Sequence, residues 1–123
     1  MTVSKSKARG TAFERRVVDY LIQRGFTTAE RRALEGTNDR GDVSGIPGVV
    51  IECKNTKRLT LAEWQDETLS EQANARASVA FCVFPRRSHH IGKAHVLMTF
   101  DQVISLIGDG VENGTETRGG SDG

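Results

Sequence analysis

Two carboxylates and one lysine form the clearest chemical pattern in this sequence. Asp42 follows Gly41 in a turn-rich stretch, while Glu52 and Lys54 end an apolar run that begins at Val49. Residues two apart on a strand share a face, so Glu52 and Lys54 should point the same way. A short hairpin between Asp42 and Glu52 would bring the two carboxylates together, and oxygen ligands of this kind suit Mg²⁺. A lysine beside them could position or deprotonate an attacking water.

Each of these residues also has a purely structural interpretation. Asp42 fits a simple turn after glycine. Glu52 and Lys54 fit a salt-bridge pair on a solvent-facing strand. A further acid, Glu14, completes the spacing Thr11-x-x-Glu14 of a capping box, in which it would only cap its helix.

The elements that must position these side chains follow from periodicity and turn signals. An apolar stripe at three- and four-residue spacing predicts a helix over 10–25 that stops at Gly25. Thr60 and Glu63 fit a capping box that opens a second helix over 60–77, and Asp101 caps a third that ends at Gly108. Strands are predicted over 27–34, from Asp42, and over 48–53, 78–84 and 94–100. The order α-β-β-β-α-β-β-α indicates an α/β or α+β protein with a mixed sheet flanked by helices.

Composition narrows the class of protein. The 123 residues suit one domain, and the net charge of +1 excludes a protein that binds nucleic acid through bulk charge alone. No apolar run reaches the length of a membrane span, and the polar, basic start predicts no secretory signal. Cys53 and Cys82 are predicted to be free thiols in a reducing cytosol. We predict a folded domain over 1–108 with a flexible basic start over 1–9, and a disordered acidic, glycine-rich tail over 109–123.

The ordered motifs resemble a known family. The spacing D-x(9)-E-x-K resembles the PD-(D/E)XK nuclease superfamily, with Gly41 in place of the proline of its name. The opening 10–16, GTAFERR, and the helix end 24–26, RGF, resemble archaeal-type and phage Holliday junction resolvases. The resemblance covers about residues 8–84 in order. It implies the restriction-endonuclease-like fold.

The resemblance also implies roles for individual residues. Asp42 and Glu52 would hold Mg²⁺, for which Mn²⁺ can substitute, with the backbone carbonyl of Cys53 as a further ligand. Lys54 would orient the nucleophilic water and support charge on the phosphate. Glu14 would reach the metal from the first helix. Gln72 in the second helix is a possible accessory residue.

The activity implied is Mg²⁺-dependent hydrolysis of DNA phosphodiester bonds. The favoured substrate is a branched DNA junction, cut by a homodimer during DNA recombination or repair. The implied setting is the bacterial cytoplasm, with the protein encoded by a phage or a prokaryote. The alternatives are a repair, flap or nicking nuclease and a catalytically silent DNA-binding module.

Basic residues surround the predicted site and fit contacts to DNA phosphates, although such runs are more often solvated surface. His89, His90 and His95 are predicted to be loop residues, because partners for a closed zinc site are missing. The predicted DNA contacts are Arg31, Arg32, Arg40, Lys57, Arg58, Arg86, Arg87 and Lys93.

Overall fold

A computed structural model describes residues 5–33 and 39–117, without the side chains of residue 6 and of residues 111–117. The elements follow the predicted order, with one short 3-10 helix added between the last two strands. They are α1 (Lys5–Gln23), β1 (Glu30–Arg31), β2 (Val43–Ser44), β3 (Val49–Cys53), α2 (Leu61–Ala75), β4 (Val79–Phe84), the 3-10 helix Ile91–Lys93, β5 (His95–Leu97) and α3 (Phe100–Thr117).

The five strands form one mixed sheet in the order β1-β2-β3-β4-β5. β3 pairs parallel with β4, and the other neighbours are antiparallel. The parallel pair requires a crossover, which α2 supplies. The α/β class and the mixed sheet predicted from the sequence are therefore confirmed.

The two faces of β3 are covered by different helices. Ile51 belongs to a core cluster with Phe13 and Val17 of α1, and Cys53 packs against that cluster. On the opposite face, Glu52 lies beside the acidic side chains of α2. The alternation predicted for this strand is confirmed, because Ile51 and Cys53 point away from Glu52.

Helix starts differ from the sequence predictions. α1 begins at Lys5, because Lys, Ala and Arg are good helix formers and one glycine at position 10 costs only about 1 kcal/mol. The predicted flexible start over 1–9 therefore overlaps the helix, and residues 1–4 lie outside the described chain. Thr60 precedes α2 as predicted but makes no side-chain cap hydrogen bond. Gly25 does follow the end of α1 with φ 105°, as a helix stop requires.

The prediction that the last helix ends at Gly108 is wrong. α3 starts at Phe100, where the hydroxyl of Thr99 accepts from the N–H of Gln102, and it continues to Thr117. Gly108 does not end the helix, since a glycine within a helix weakens it without breaking it. The predicted tail of 109–123 thus begins inside α3, and residues 118–123 lie outside the part of the chain that the structure describes.

Candidate functional site

Asp42 is fixed at the start of β2 by two hydrogen bonds to β3. Its backbone N–H donates to the carbonyl of Ile51 at 2.9 Å, and its Oδ2 accepts from the N–H of Cys53 at 2.8 Å. Gly41 precedes it with φ 95°, a backbone conformation that residues other than glycine rarely adopt. Asp42 is therefore more than a turn residue, because its carboxylate is anchored against the strand that carries Glu52.

Glu52 and Lys54 meet on the α2 face of the sheet. Lys54 Nζ lies 3.4 Å from Glu52 Oε2 and 2.6 Å from Glu67 Oε2 of α2. The ion pair considered from the sequence is present, but Glu52 is only 6% exposed. The alternative of a solvent-facing strand is therefore wrong, since α2 covers this face. A buried ion pair of this kind is expensive to desolvate and needs its partners.

Two glutamates of α2 join the site, and the sequence reasoning missed both. Glu52, Glu67 and Glu71 each offer a carboxylate oxygen, and these oxygens lie within 4.8 Å of one another. Glu71 is 3% exposed and lies on the buried side of α2 with Trp64 and Thr68. An acid at a position where the helix should bury an apolar residue was the available signal. We call Asp42, Glu52, Glu67 and Glu71 the acidic cluster.

The electrostatics of the cluster favour an added cation. Burial, with the neighbouring charges of Asp42 and Glu71, raises the pKa of Glu52 well above its usual range. Burial likewise raises the pKa of Glu71, with a further contribution from Asp39. Burial alone would lower the pKa of Lys54, but Glu67 and Glu52 raise it to about 12. Lys54 therefore keeps its proton at neutral pH, and one ammonium faces several carboxylates.

The residues fit a divalent metal ion. Glu52 Oε1 and Glu71 Oε1 are both buried and accept no hydrogen bond from an amide, hydroxyl or ammonium donor of the described residues, and the two carboxyls lie within hydrogen-bond reach of each other. A buried acceptor without such a donor is costly, and acceptors of this kind are the oxygen ligands that Mg²⁺ prefers. Asp42 lies against the same carboxyl of Glu52. The metal site predicted from the sequence is thus compatible with this geometry, which adds Glu71 to the predicted ligands.

Glu14 of α1 approaches the site from the other side. Its Oε1 lies 3.1 Å from Arg31 Nε, and its pKa is raised by burial and by the charge of Asp42 against the opposing effect of Arg31. The capping-box alternative is wrong, because Thr11 lies inside α1 and not at its start. Glu14 and Asp42 line a groove of about 820 Å³ together with four basic residues, Lys7, Arg31, Arg32 and Arg40.

Other predicted DNA contacts lie on a second surface. Lys57, Arg86 and Arg87 line a smaller cavity of about 270 Å³ at the end of β4. Arg58 is exposed in the loop after β3, and Lys93 is exposed in the 3-10 helix. The structure thus separates the predicted basic residues into two groups, one beside Asp42 and one beyond Lys54.

Gln72 makes contacts away from the acidic cluster. Its Nε2 donates to the carbonyl of Ala77 at 3.2 Å, and its Oε1 accepts from Gln102 Nε2 at 3.3 Å. Gln102 also accepts from the N–H of Ala80 at 2.7 Å. These hydrogen bonds link α2, β4 and α3, so the contacts of Gln72 stabilise the fold.

The histidines and cysteines take local partners. His90 Nδ1 accepts from the N–H of Gly92, and the ring of His95 packs on Phe84 with centroids 5.2 Å apart. Both cysteines are free, as predicted, and burial raises the pKa of the Cys82 thiol to about 12. A thiol with so high a pKa is a poor nucleophile at neutral pH.

Comparisons of this chain with family models, with curated proteins and with solved structures found no match. None of the helices in the described ranges is both long and apolar enough to cross a membrane. The function must therefore be inferred from the site itself.

Proposed function

We propose that this protein is a Mg²⁺-dependent endodeoxyribonuclease with the restriction-endonuclease-like fold. One observation carries the proposal. Asp42 and Glu52, ten residues apart in the sequence, meet between adjacent antiparallel strands, and Lys54 lies within 3.4 Å of Glu52. An acidic pair with one buried member, Glu52, and an adjacent lysine is a costly arrangement of the kind found at functional sites.

Asp42 and Glu52 are the residues that would hold the metal, with Glu71 beside them. The backbone carbonyl of Cys53 and the side chain of Glu14 remain further candidates from the resemblance. A bound divalent ion would supply Lewis-acid polarisation of a phosphate oxygen and a lower pKa for an attacking water. The buried carboxyl oxygens of Glu52 and Glu71 support this assignment.

The chain's own residues would orient the reactants. Lys54, held between Glu52 and Glu67, presents a fixed positive charge that stabilises negative charge developing on the scissile phosphate. Glu67 and Glu52 raise the pKa of Lys54 in the metal-free protein, and the role proposed for Lys54 is that of a positive charge and a hydrogen-bond donor. Water would attack phosphorus as the phosphodiester P–O bond breaks, and the leaving oxygen would take up a proton.

The groove beside Asp42 is the proposed path of the DNA backbone. Arg32 and Arg40 line it with Arg31, whose guanidinium is already oriented by Glu14 at 3.1 Å. Arginines of this kind supply sequence-independent contacts to phosphates. The proposed phosphate contacts therefore lie in the same groove as Asp42, a proposed metal ligand.

A branched junction is the proposed substrate, cut by a homodimer. Resolving a junction takes two symmetric cuts, and a C2 pair of identical subunits supplies two equivalent sites. The apolar face of α3, formed by Phe100, Ile104 and Ile107, is exposed and offers the hydrophobic surface that such an interface would use.

Cleavage of a labelled four-way junction tests the proposal when it is compared with a flap, a linear duplex and a single strand. Mg²⁺ is the metal, and EDTA and Lys54→Ala are the controls. Paired symmetric cuts in the junction alone, lost in both controls, support a resolvase. Metal-dependent cuts in the other substrates would support a nuclease but contradict its assignment as a junction resolvase. Tight junction binding without any cut would favour a silent DNA-binding module.

A further inference from the structure

A second cavity lies beyond the acidic cluster, at the end of the sheet where β3 and β4 terminate. It occupies about 270 Å³ where β4 ends, and it is reached from Lys54 along the chain through Thr56 and Lys57. The N–H of Lys54 donates to the carbonyl of Val83 at 2.9 Å, one residue before Phe84 in the cavity wall. A strand bound at the acidic cluster would therefore pass close to this cavity.

The wall of the cavity is aromatic and apolar. Phe84 and His95 face each other across β4 and β5, with ring centroids 5.2 Å apart and planes 36° apart. Trp64 supports Phe84 from behind, with centroids 5.2 Å apart. Leu59 remains 55% exposed at the rim. This arrangement leaves an exposed imidazole face on a rigid aromatic support, which suits stacking of a flat ring.

The rim of the cavity is basic. Lys57, Arg86 and Arg87 line it, and none of its eight described lining residues is acidic. Arg87 Nη2 donates to the carbonyl of Thr56 at 3.5 Å, which turns its guanidinium toward the loop after β3. The first groove, in contrast, contains acids as well as arginines. A positive rim around an aromatic wall is complementary to a ligand that is both planar and anionic.

We propose that this cavity binds one unpaired nucleotide of the DNA substrate, with its base stacked at His95 and Phe84 and its phosphate at Arg86 and Arg87. The volume approaches the lower limit of small-molecule sites, about 300 Å³, and suits one nucleotide, not a duplex. Stacking on aromatic side chains combined with basic backbone contacts is the general mode of single-strand recognition. The inference rests on the proposed action on DNA and adds that the substrate presents an unpaired base near the cut.

Binding without metal tests this inference separately from cleavage. Fluorescence anisotropy in EDTA compares a labelled short single-stranded oligothymidine with an abasic strand of the same length. We expect the full chain to bind the base-bearing strand about tenfold more tightly. His95→Ala should abolish that preference and leave the affinity for the abasic strand unchanged, whereas His95→Phe should retain it.

Charge variants complete the test. Arg86→Ala should weaken binding of both strands by the same factor, because phosphate contacts do not depend on the base. Arg76→Asn removes the same charge before β4, at the opposite end of that strand, and should leave the affinity for both strands unchanged. The proposed nucleotide pocket would be overturned if the wild type bound the two strands with equal affinity. It would also be overturned if His95→Ala lowered the affinity for both strands by the same factor. Absence of cleavage would overturn the nuclease proposal and leave these binding results unchanged.

Discussion

The side chains of the acidic cluster show why position matters more than residue type. Glu52 and Glu63 are both glutamates near α2, yet Glu52 is buried among acids and Glu63 is exposed on the first turn. Burial and like charges oppose ionisation at Glu52. The same chemical group is therefore a solvated surface charge at one position and a candidate metal ligand at the other.

Replacing Lys54 tests its role as a fixed charge. Lys54→Ala should reduce kcat by about 100-fold or more, because it removes electrostatic stabilisation of the phosphate, while the far-ultraviolet circular dichroism stays native. Lys93→Ala removes an equal charge from an exposed site and should change KM at most. A Lys54→Ala enzyme with an unchanged kcat would show that the lysine only balances Glu52 and Glu67.

Replacing Glu52 separates stability from metal binding. Glu52→Gln should stabilise the metal-free protein at neutral pH by about 1 kcal/mol, because the raised pKa of Glu52 makes this carboxyl take up a proton on folding, whereas glutamine needs none. Thermal melting should then show a transition roughly 4 °C higher and insensitive to added Mg²⁺. Glu63→Gln is the control and should leave the melting temperature and its response to Mg²⁺ unchanged. If Glu52→Gln instead melted at a lower temperature than the wild type and its melting temperature still rose with Mg²⁺, Glu52 would not be a metal ligand.

At the scale of elements, the sequence predicted the strand that carries the site better than the helix that completes it. β3 could be predicted because a continuous β-branched run ending in Glu52 and Lys54 is a local signal. Glu67 could not, because its role depends on how α2 lies over β3, and Glu71 left only the weak signal of an acid on the buried side of that helix. The end of α3 was also mispredicted, since Gly108 breaks a local pattern without breaking the helix.

The turn between β2 and β3 imposes a backbone requirement that a glycine substitution can measure. Gly45 has φ 90°, and a Cβ there would clash with the carbonyl oxygen of Thr28. Gly45→Ala should therefore destabilise the protein by about 3 kcal/mol or more, as read from urea denaturation.

Gly108 supplies the matched control for that substitution. It lies within α3, and a Cβ built there meets no atom within 4 Å. Gly108→Ala should stabilise the protein by about 0.5–1 kcal/mol, because alanine loses less backbone entropy in a helix. Equal effects of Gly45→Ala and Gly108→Ala on the urea midpoint would contradict the close approach described for Gly45.

At the scale of the whole molecule, the charged cavities and the exposed apolar face of α3 form two kinds of surface. The acidic cluster and both basic cavities lie near the ends of β2, β3 and β4, whereas α3 presents exposed apolar side chains. Large exposed apolar surfaces commonly mark interaction sites. The proposed homodimer would use α3 and leave the cavities accessible to DNA.

Sedimentation of an α3 variant tests this division of surfaces. Ile104 is 49% exposed, and Ile104→Glu should yield a monomer at micromolar concentration because it places a charge within the apolar face. Asp101→Ala changes an exposed charge on the same helix and should leave the dimer intact. A wild type that sediments as a monomer even with junction DNA would contradict the homodimer.

The most direct test of the central claim is the cleavage of a labelled four-way junction by the wild type in Mg²⁺, with Lys54→Ala measured in parallel. The account predicts metal-dependent cuts at paired symmetric positions that disappear in the variant. A wild type that binds Mg²⁺ and junction DNA but leaves every phosphodiester bond intact would contradict the assignment of Asp42, Glu52 and Lys54 as a nuclease site.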